Sequence, residues 1–329
     1  MKNRALACAL SVALLSSIGV AMTVPHSFVM AKSSSDKKFF KGDASGTTAS
    51  LSDILKNQRP DGGWRKFYTE DEGEWAKSSI DNKATYTEIR RLADAYTKTK
   101  DQQYADAAIK GIHFLLNMQY ANGGFPQVYK SKGYHTEITF NDDAMTNVLF
   151  LLEDVSNQKG DFSFISNALA KQAQEAVHKG VECILKTQIV SNGKLTAWCQ
   201  QYNEKTLKPA GARSFEVPAI TASESVGIIQ FLKTRPDDAR IKTSIQAAEK
   251  WLKSVEIKGY RFERNKSDGR LIADPTAPPL WARFYEINTN RPIFVGRDGV
   301  VKYKLQDIEQ ERRAGYAWYG TWPSKLGID

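Results

Sequence analysis

From Tyr86 onward the chain repeats one pattern, apolar residues three and four apart on a polar background. Across Ala84–Lys100 the positions Tyr86, Ile89, Leu92, Ala93 and Tyr96 share one helical face, and past Asp101 Tyr104, Ala108, Ile112 and Leu115 do the same. Two helices joined by a short polar turn make a hairpin. The spacing recurs over Ala144–Val155, Ala168–Lys186, Ser223–Leu232 and Asp238–Val255. Alternating runs are few, and they predict small strands near Arg261–Leu271 and Phe294–Tyr303.

The turns repeat as well. Gln58–Trp64 reads QRPDGGW, Gln119–Phe125 reads QYANGGF, and Gln188–Gly193 followed by Leu195 is a fainter copy. A Gln at a helix end, glycines that turn the chain through positive φ, and an aromatic that packs the returning chain would close each unit. Hairpins too narrow to bury their own faces stack side by side. The expected fold is therefore mainly α, an (α/α) toroid or barrel of helical hairpins with a few short β-strands in loops.

Composition adds compartment and partners. At 329 residues, 25 % charged and 41 % hydrophobic, the chain is neither disordered nor fibrous, and its net charge of +9 favours polyanionic partners. Lys2 and Arg4 lead an apolar stretch, and Val29-Met30-Ala31 offers small residues for cleavage. Residues 1–31 read as a secretory signal peptide, 32–50 as a flexible leader, and 51–329 as the folded domain. The expected product is a secreted monomer with no membrane span. Cys183 and Cys199 remain after cleavage, and sequence leaves open whether they pair. His113, His135 and His178 make no zinc pattern with them.

Candidate chemistry gathers in polar loops. Arg213 sits in a segment bracketed by Pro209 and Pro218, where neither helix nor strand fits well. Arg283 and Arg297 flank an aromatic-rich stretch, and Arg312 and Arg313 precede another. Guanidinium forks beside rings suit carboxylated sugars. Nucleic acid would use similar groups, but arginines scattered singly among acidic residues do not form a phosphate-tracking stripe. Asp81-Asn82 and Asn141-Asp142-Asp143 stand at equivalent points before two predicted helices. They can be helix caps, or hard oxygen ligands gathered on one rim and suited to calcium.

From about Leu51 to Gly327 the ordered segments QRPDGGW, DNKAT (Asp81–Thr85), MQYANGGFPQVY (Met118–Tyr129), TFNDDAM (Thr139–Met145), WCQQY (Trp198–Tyr202), GARSFE (Gly211–Glu216), SESVG (Ser223–Gly227) and the GRDG ending at Gly299 resemble the polysaccharide lyase family 10 pectate lyases. Lys83 stands where a smaller residue is expected. The resemblance implies a toroid with an open groove, calcium-dependent β-elimination of polygalacturonate (low-ester pectin), and 4,5-unsaturated products. It implies calcium held by Asp81, Asn82 and Asp143, Arg213 as the base, and Arg283 and Arg297 as partners of substrate carboxylates. Free arginine stays protonated, so such a base needs neighbouring cations or an alkaline medium. A glycoside hydrolase would instead pair two carboxylates, such as Asp142 and Glu216. A non-catalytic glycan-binding protein would tolerate loss of Arg213. A terpene cyclase shares the Gln-to-Gly-Gly-Trp repeat but would require an apolar cavity.

Overall fold

Residues 45–235 and 237–328 are described by the structure, a computed structural model; the signal segment and the leader up to residue 44 lie outside them. Residues 45–50 join the packed body. Ala49 is buried, and Arg91 Nη1 donates to the Gly46 and Ala49 carbonyls, both at 2.7 Å. Ser50 caps helix α1 (Leu51–Asn57) by accepting from the Asp53 amide.

Three helix pairs follow, α2 (Tyr86–Thr99) with α3 (Gln102–Met118), α4 (Ala144–Ser156) with α5 (Asn167–Thr187), and α6 (Ala222–Leu232) with α7 (Ala239–Ser254). Their boundaries have local causes. Lys100 ends α2 in the left-handed region, and Asp101, Ser166 and Asp238 cap α3, α5 and α7 through their side chains. α2 starts two residues later than its apolar period predicts, because Asn82, Lys83 and Thr85 all adopt positive φ.

The repeated turns do the same work three times. Gln58 Nε2 donates to Gly62 O and to Ala107 O on α3; Gln119 Nε2 donates to Gly123 O and to Ala176 O on α5; Gln188 Nε2 donates to Thr196 O and to Ser244 O on α7. Each glutamine thus ends one helix and ties it to the second helix of the pair that follows. Gly123 cannot be replaced by a larger residue, since its φ is +91° and a Cβ would meet Lys179 O at 1.9 Å. The closing aromatics are also equivalent: the indoles of Trp64, Trp198 and Trp281 donate to Ile54 O, Ile184 O and Leu252 O. In the third turn Trp198 takes the aromatic role rather than Leu195, which lies exposed in the small hairpin Val190–Leu195.

The expected mainly α toroid does not form. Among the described residues the three pairs are followed, past Ser254, by one short helix, α8 (Gln310–Gly315), and by much of the β-structure, and six small antiparallel sheets run through the molecule. The reason is local. Tyr260–Arg264 and Gly269–Ala273 alternate in the sense of strands and pair in register, and Pro275, Pro278, Pro279 and Pro292 deny this stretch a helix. A separate apolar cluster of Ala219, Phe284, Ile293, Phe294, Leu305, Ile308 and Trp318 packs this region. Cys183 and Cys199 are both buried and free; burial pushes the Cys183 thiol up to about 12.

One core group predicts a pH effect. Glu88 on α2 is fully buried, accepts from Tyr68 Oη at 3.0 Å through Oε1, and leaves Oε2 without a partner. Burial pushes its carboxyl up to about 7. Between its ordinary value of 4.5 and about 7 the folded protein holds a proton that the unfolded chain releases. Stability from this group is therefore full below pH ~4.5, falls as pH rises towards 7, and stays low above it. Glu88→Gln removes an ionisation penalty of about 3 kcal/mol. It is expected to raise Tm at pH 8–9 and change it little at pH 4; equal shifts at both pH values would refute the assignment.

Candidate active site

Two turns of the same design stand before α2 and α4. Asp81–Lys83 and Asn141–Asp143 form single 3-10 turns that contact each other, and Asn82, Asp142 and Asp143 have φ of 48°, 51° and 58°. Helix capping does not explain them. Thr85 and Asp143 occupy the capping positions of α2 and α4, and neither makes a side-chain cap. Thr85, a β-branched residue at φ 68°, is held by donating to Ser79 O at 2.7 Å and accepting from the Trp64 amide at 3.1 Å. Such strain, sustained by surrounding bonds, turns the acidic side chains towards a common space.

That space is two adjoining cavities that share Asn82 and Asp142. The smaller, about 180 Å³, is lined by Lys66, Trp75, Asp81, Tyr134, Gln201, Arg213 and Glu216 among others; the larger, about 700 Å³, by Asp143, Ser223, Glu224, Arg283 and Trp322, with Ser45 and Thr47 on its wall. A cavity of about 590 Å³ elsewhere, between α5 and the start of α7, has its arginines engaged in ion pairs: Arg235 with Glu153 and Arg240 with Glu182.

Negative charge is crowded in the shared space. Burial raises the carboxyl of Asp143 to about 7 and lifts that of Asp142, and Glu224 adds to both shifts. Asp143 Oδ1 is buried with no hydrogen-bond partner. Two cations answer part of this charge. Lys66 Nζ lies 2.6 Å from Asp81 Oδ2 and over the Trp75 ring, and the buried Arg283 guanidinium bonds Glu224 and stands 3.7 Å from Asp142. Among the described residues no three acidic, His or Cys side chains converge as they stand on one ion. The donor set is nonetheless oxygen only, and an orphaned carboxylate oxygen among mutually repelling acids fits a hard divalent cation.

Arg213 lines the smaller cavity together with Asp81 and Asp142. Its Nε and Nη2 donate to the two oxygens of Glu216 at 2.8 and 2.6 Å, and the Glu216 amide donates back to Arg213 O at 2.8 Å. Burial alone would lower its proton affinity, but the bonds and charge of Glu216 outweigh burial and hold the guanidinium above the ordinary arginine value. Phe215, buried between them in sequence, carries three guanidinium groups around its ring, Arg312 at 3.7 Å, Arg213 at 4.7 Å and Arg297 at 5.2 Å. Tyr316 completes the group, donating to Glu216 Oε1 at 3.1 Å and lying under Arg283 at 4.9 Å.

Asp81, Asn82, Asp143, Arg213 and Arg283 thus come together. Arg297 does not line either cavity; it sits exposed on the Arg213 side, its Nε bound to Glu311 at 2.7 Å. Lys66 and Glu224 were not anticipated. Lys66 carries no pattern of its own, whereas Glu224 lay in SESVG, a segment noted for its resemblance and not for its charge. Glu216, engaged by Arg213 through both oxygens, has no free acid to offer a hydrolytic pair with Asp142.

A family model described as pectic acid lyase matches residues 69–327. Two solved structures of a family 10 polysaccharide lyase from Cellvibrio cellulosa are similar throughout. One, a mutant in complex with trigalacturonic acid, is 34 % identical with a TM-score of 0.79, covering 86 % of this chain and 92 % of that one. The other is 32 % identical with a TM-score of 0.78, covering 86 % and 94 %. No curated protein matches the chain.

Proposed function

Since the chain belongs to the pectic acid lyases of polysaccharide lyase family 10, we propose that the paired cavities hold polygalacturonate for calcium-dependent β-elimination, with Arg213 as the base. The chain is a polysaccharide lyase acting on polygalacturonate; which residues do the work, and with what cofactor, is the proposal. The observation that carries it is the meeting of Arg213 with Asp81, Asp142, Asp143 and Arg283 across one continuous space.

Asp81, Asn82 and Asp143 would hold calcium. When bound, the ion supplies positive charge that neutralises the C6 carboxylate and acidifies the neighbouring C5 proton. Arg213 takes that proton, the C5–H electron pair becomes the C4=C5 double bond, and the C4–O bond breaks. The leaving oxygen takes a proton from water. Arg283, fixed by Glu224 and Asp142, presents a buried cation to a substrate carboxylate, and Arg297 would add another on the Arg213 side. Trp75, over which Lys66 is stacked, lines the smaller cavity and offers a ring for a sugar face. The composition of residues 1–31 supports secretion, and among the described residues no helix is long and apolar enough to cross a membrane.

The test is an assay of the protein from residue 32 onward on polygalacturonate, followed by ultraviolet absorbance of the unsaturated product. Absorbance is expected to rise with calcium and stop on chelation. Cleavage with new reducing ends and no absorbance would identify a hydrolase and reject the reading.

A further inference from the structure

The two bonds between Glu216 and Arg213 do more than hold a side chain still. A carboxylate accepts only, so the two guanidinium nitrogens that face it must both carry hydrogen. Nε and Nη2 face it, at 2.8 and 2.6 Å, leaving Nη1 as the nitrogen with no hydrogen bond to the described protein. A neutral guanidine has one imine nitrogen with a lone pair and two amino nitrogens. We propose that Glu216 is a positioning residue that fixes the tautomer of neutral Arg213, so that the lone pair that takes the substrate proton resides on Nη1. This rests on the reading of Arg213 as the base.

The surroundings favour a fixed geometry over a loose ion pair. Glu216 is 5 % exposed, its Oε1 also accepts from Tyr316, and its amide closes the short loop onto Arg213 O. Phe215 is 2 % exposed and pinned by the Arg312 guanidinium, which anchors the chain between the two partners. The groups facing Arg213 are Glu216 on its own loop, Tyr134 on the Gly133–Thr136 turn, Tyr316 beyond α8, Arg312 on α8, and Lys66, Asp81 and Asp142 across the cavity. Among these Glu216 alone contacts the guanidinium edge-on with both oxygens. In the elimination the C5 proton passes to Nη1, giving the symmetric guanidinium, whose positive charge arises beside the Glu216 carboxylate and is stabilised by it.

Glu216→Gln keeps the shape but offers one acceptor and one donor, so it sets an N–H against an N–H. It is expected to lower kcat about 10- to 100-fold, as loss of an orienting partner does, with KM changed less than about threefold. The pH–rate profile of the variant should level off at a lower pH, and at a lower maximum, than that of the unchanged protein, because the carboxylate that strengthens the guanidinium is gone. Tyr316→Phe, which leaves the pair itself in place, should give a smaller loss of the same kind and guards against misfolding of the first variant. In Arg213→Ala the further change Glu216→Gln should cost nothing more, since Glu216 acts through Arg213. Normal kcat in Glu216→Gln, a profile that levels off no earlier than that of the unchanged protein, or a double variant whose losses multiply would overturn the inference. Near-normal kcat in Arg213→Ala alone would remove the base itself, a separate failure.

Discussion

Arg213→Lys is expected to lose about 10² to 10⁴ in kcat on polygalacturonate, the range a general base contributes, while KM shifts only a few-fold. Lysine keeps the charge but has neither the planar fork that Glu216 grips at two points nor a second nitrogen to turn towards the groove. Arg213→Ala should fall as far. The pH dependence follows from the same pair. With the guanidinium held above its ordinary value by Glu216, the neutral form is scarce over the usable range. The rate should then climb about tenfold per pH unit with no plateau before the protein unfolds, which favours an alkaline working range. A plateau near neutrality, or a lysine variant of near-normal kcat, would demote Arg213 to substrate binding. Arg283→Ala and Arg297→Ala should raise KM first; if either abolished turnover while Arg213→Ala did not, the roles would be exchanged.

Chelation of calcium should be nearly as costly, and Asp81→Ala or Asp143→Ala should each lose on the order of 10² to 10³ in kcat/KM, as removal of an electrostatic stabiliser does. Asp143 permits a second readout that does not depend on turnover. Its Oδ1 is buried without a partner beside Asp142 and Glu224, an arrangement that costs stability until a cation answers it. Adding calcium to the free enzyme is therefore expected to raise Tm. Asp143→Asn should begin from a higher Tm in chelator and respond weakly to the ion. Full activity of both alanine variants after exhaustive chelation would remove calcium from the mechanism.

Much of this site was legible in the chain. The turns at Asp81 and Asp143 stood at equivalent points of successive hairpins, and the proline-bracketed Arg213 loop lay where a rigid scaffold presents functional groups. Sequence could not decide between capping and ligation for the acidic turns. Backbone torsion removes capping as the explanation: with positive φ at Asn82, Asp142 and Asp143, neither turn makes a side-chain cap on its helix. Lys66 and Glu224 escaped notice because a lone lysine and a glutamate in a first helical turn are ordinary surface features until distant segments close over them. The fold departs from the periodicity for a related reason. Periodicity identified three helix pairs, and extending it to a ring ignored the alternating and proline-rich residues past Ser254. These residues reach the candidate site, since they supply Arg283 on its wall and Tyr316, which bonds Glu216.

The glutamine ties between neighbouring units bear on the order in which the protein can assemble. They join residues 49, 57 and 56 positions apart, so α1, α3 and α5 each wait for a helix of the following pair before the glutamine at their end is satisfied. Local helices form quickly, whereas contacts of this separation bear the cost of closing a long loop. Assembly would then advance from the amino end, each pair remaining open-sided until the next has been made. Arg283 and Tyr316 enter only after the third tie, and Tyr316 is the residue that touches both Glu216 and Arg283. In a partly folded chain the acidic turns would thus be held early, and the contacts of Tyr316 with Glu216 and Arg283 would be made last.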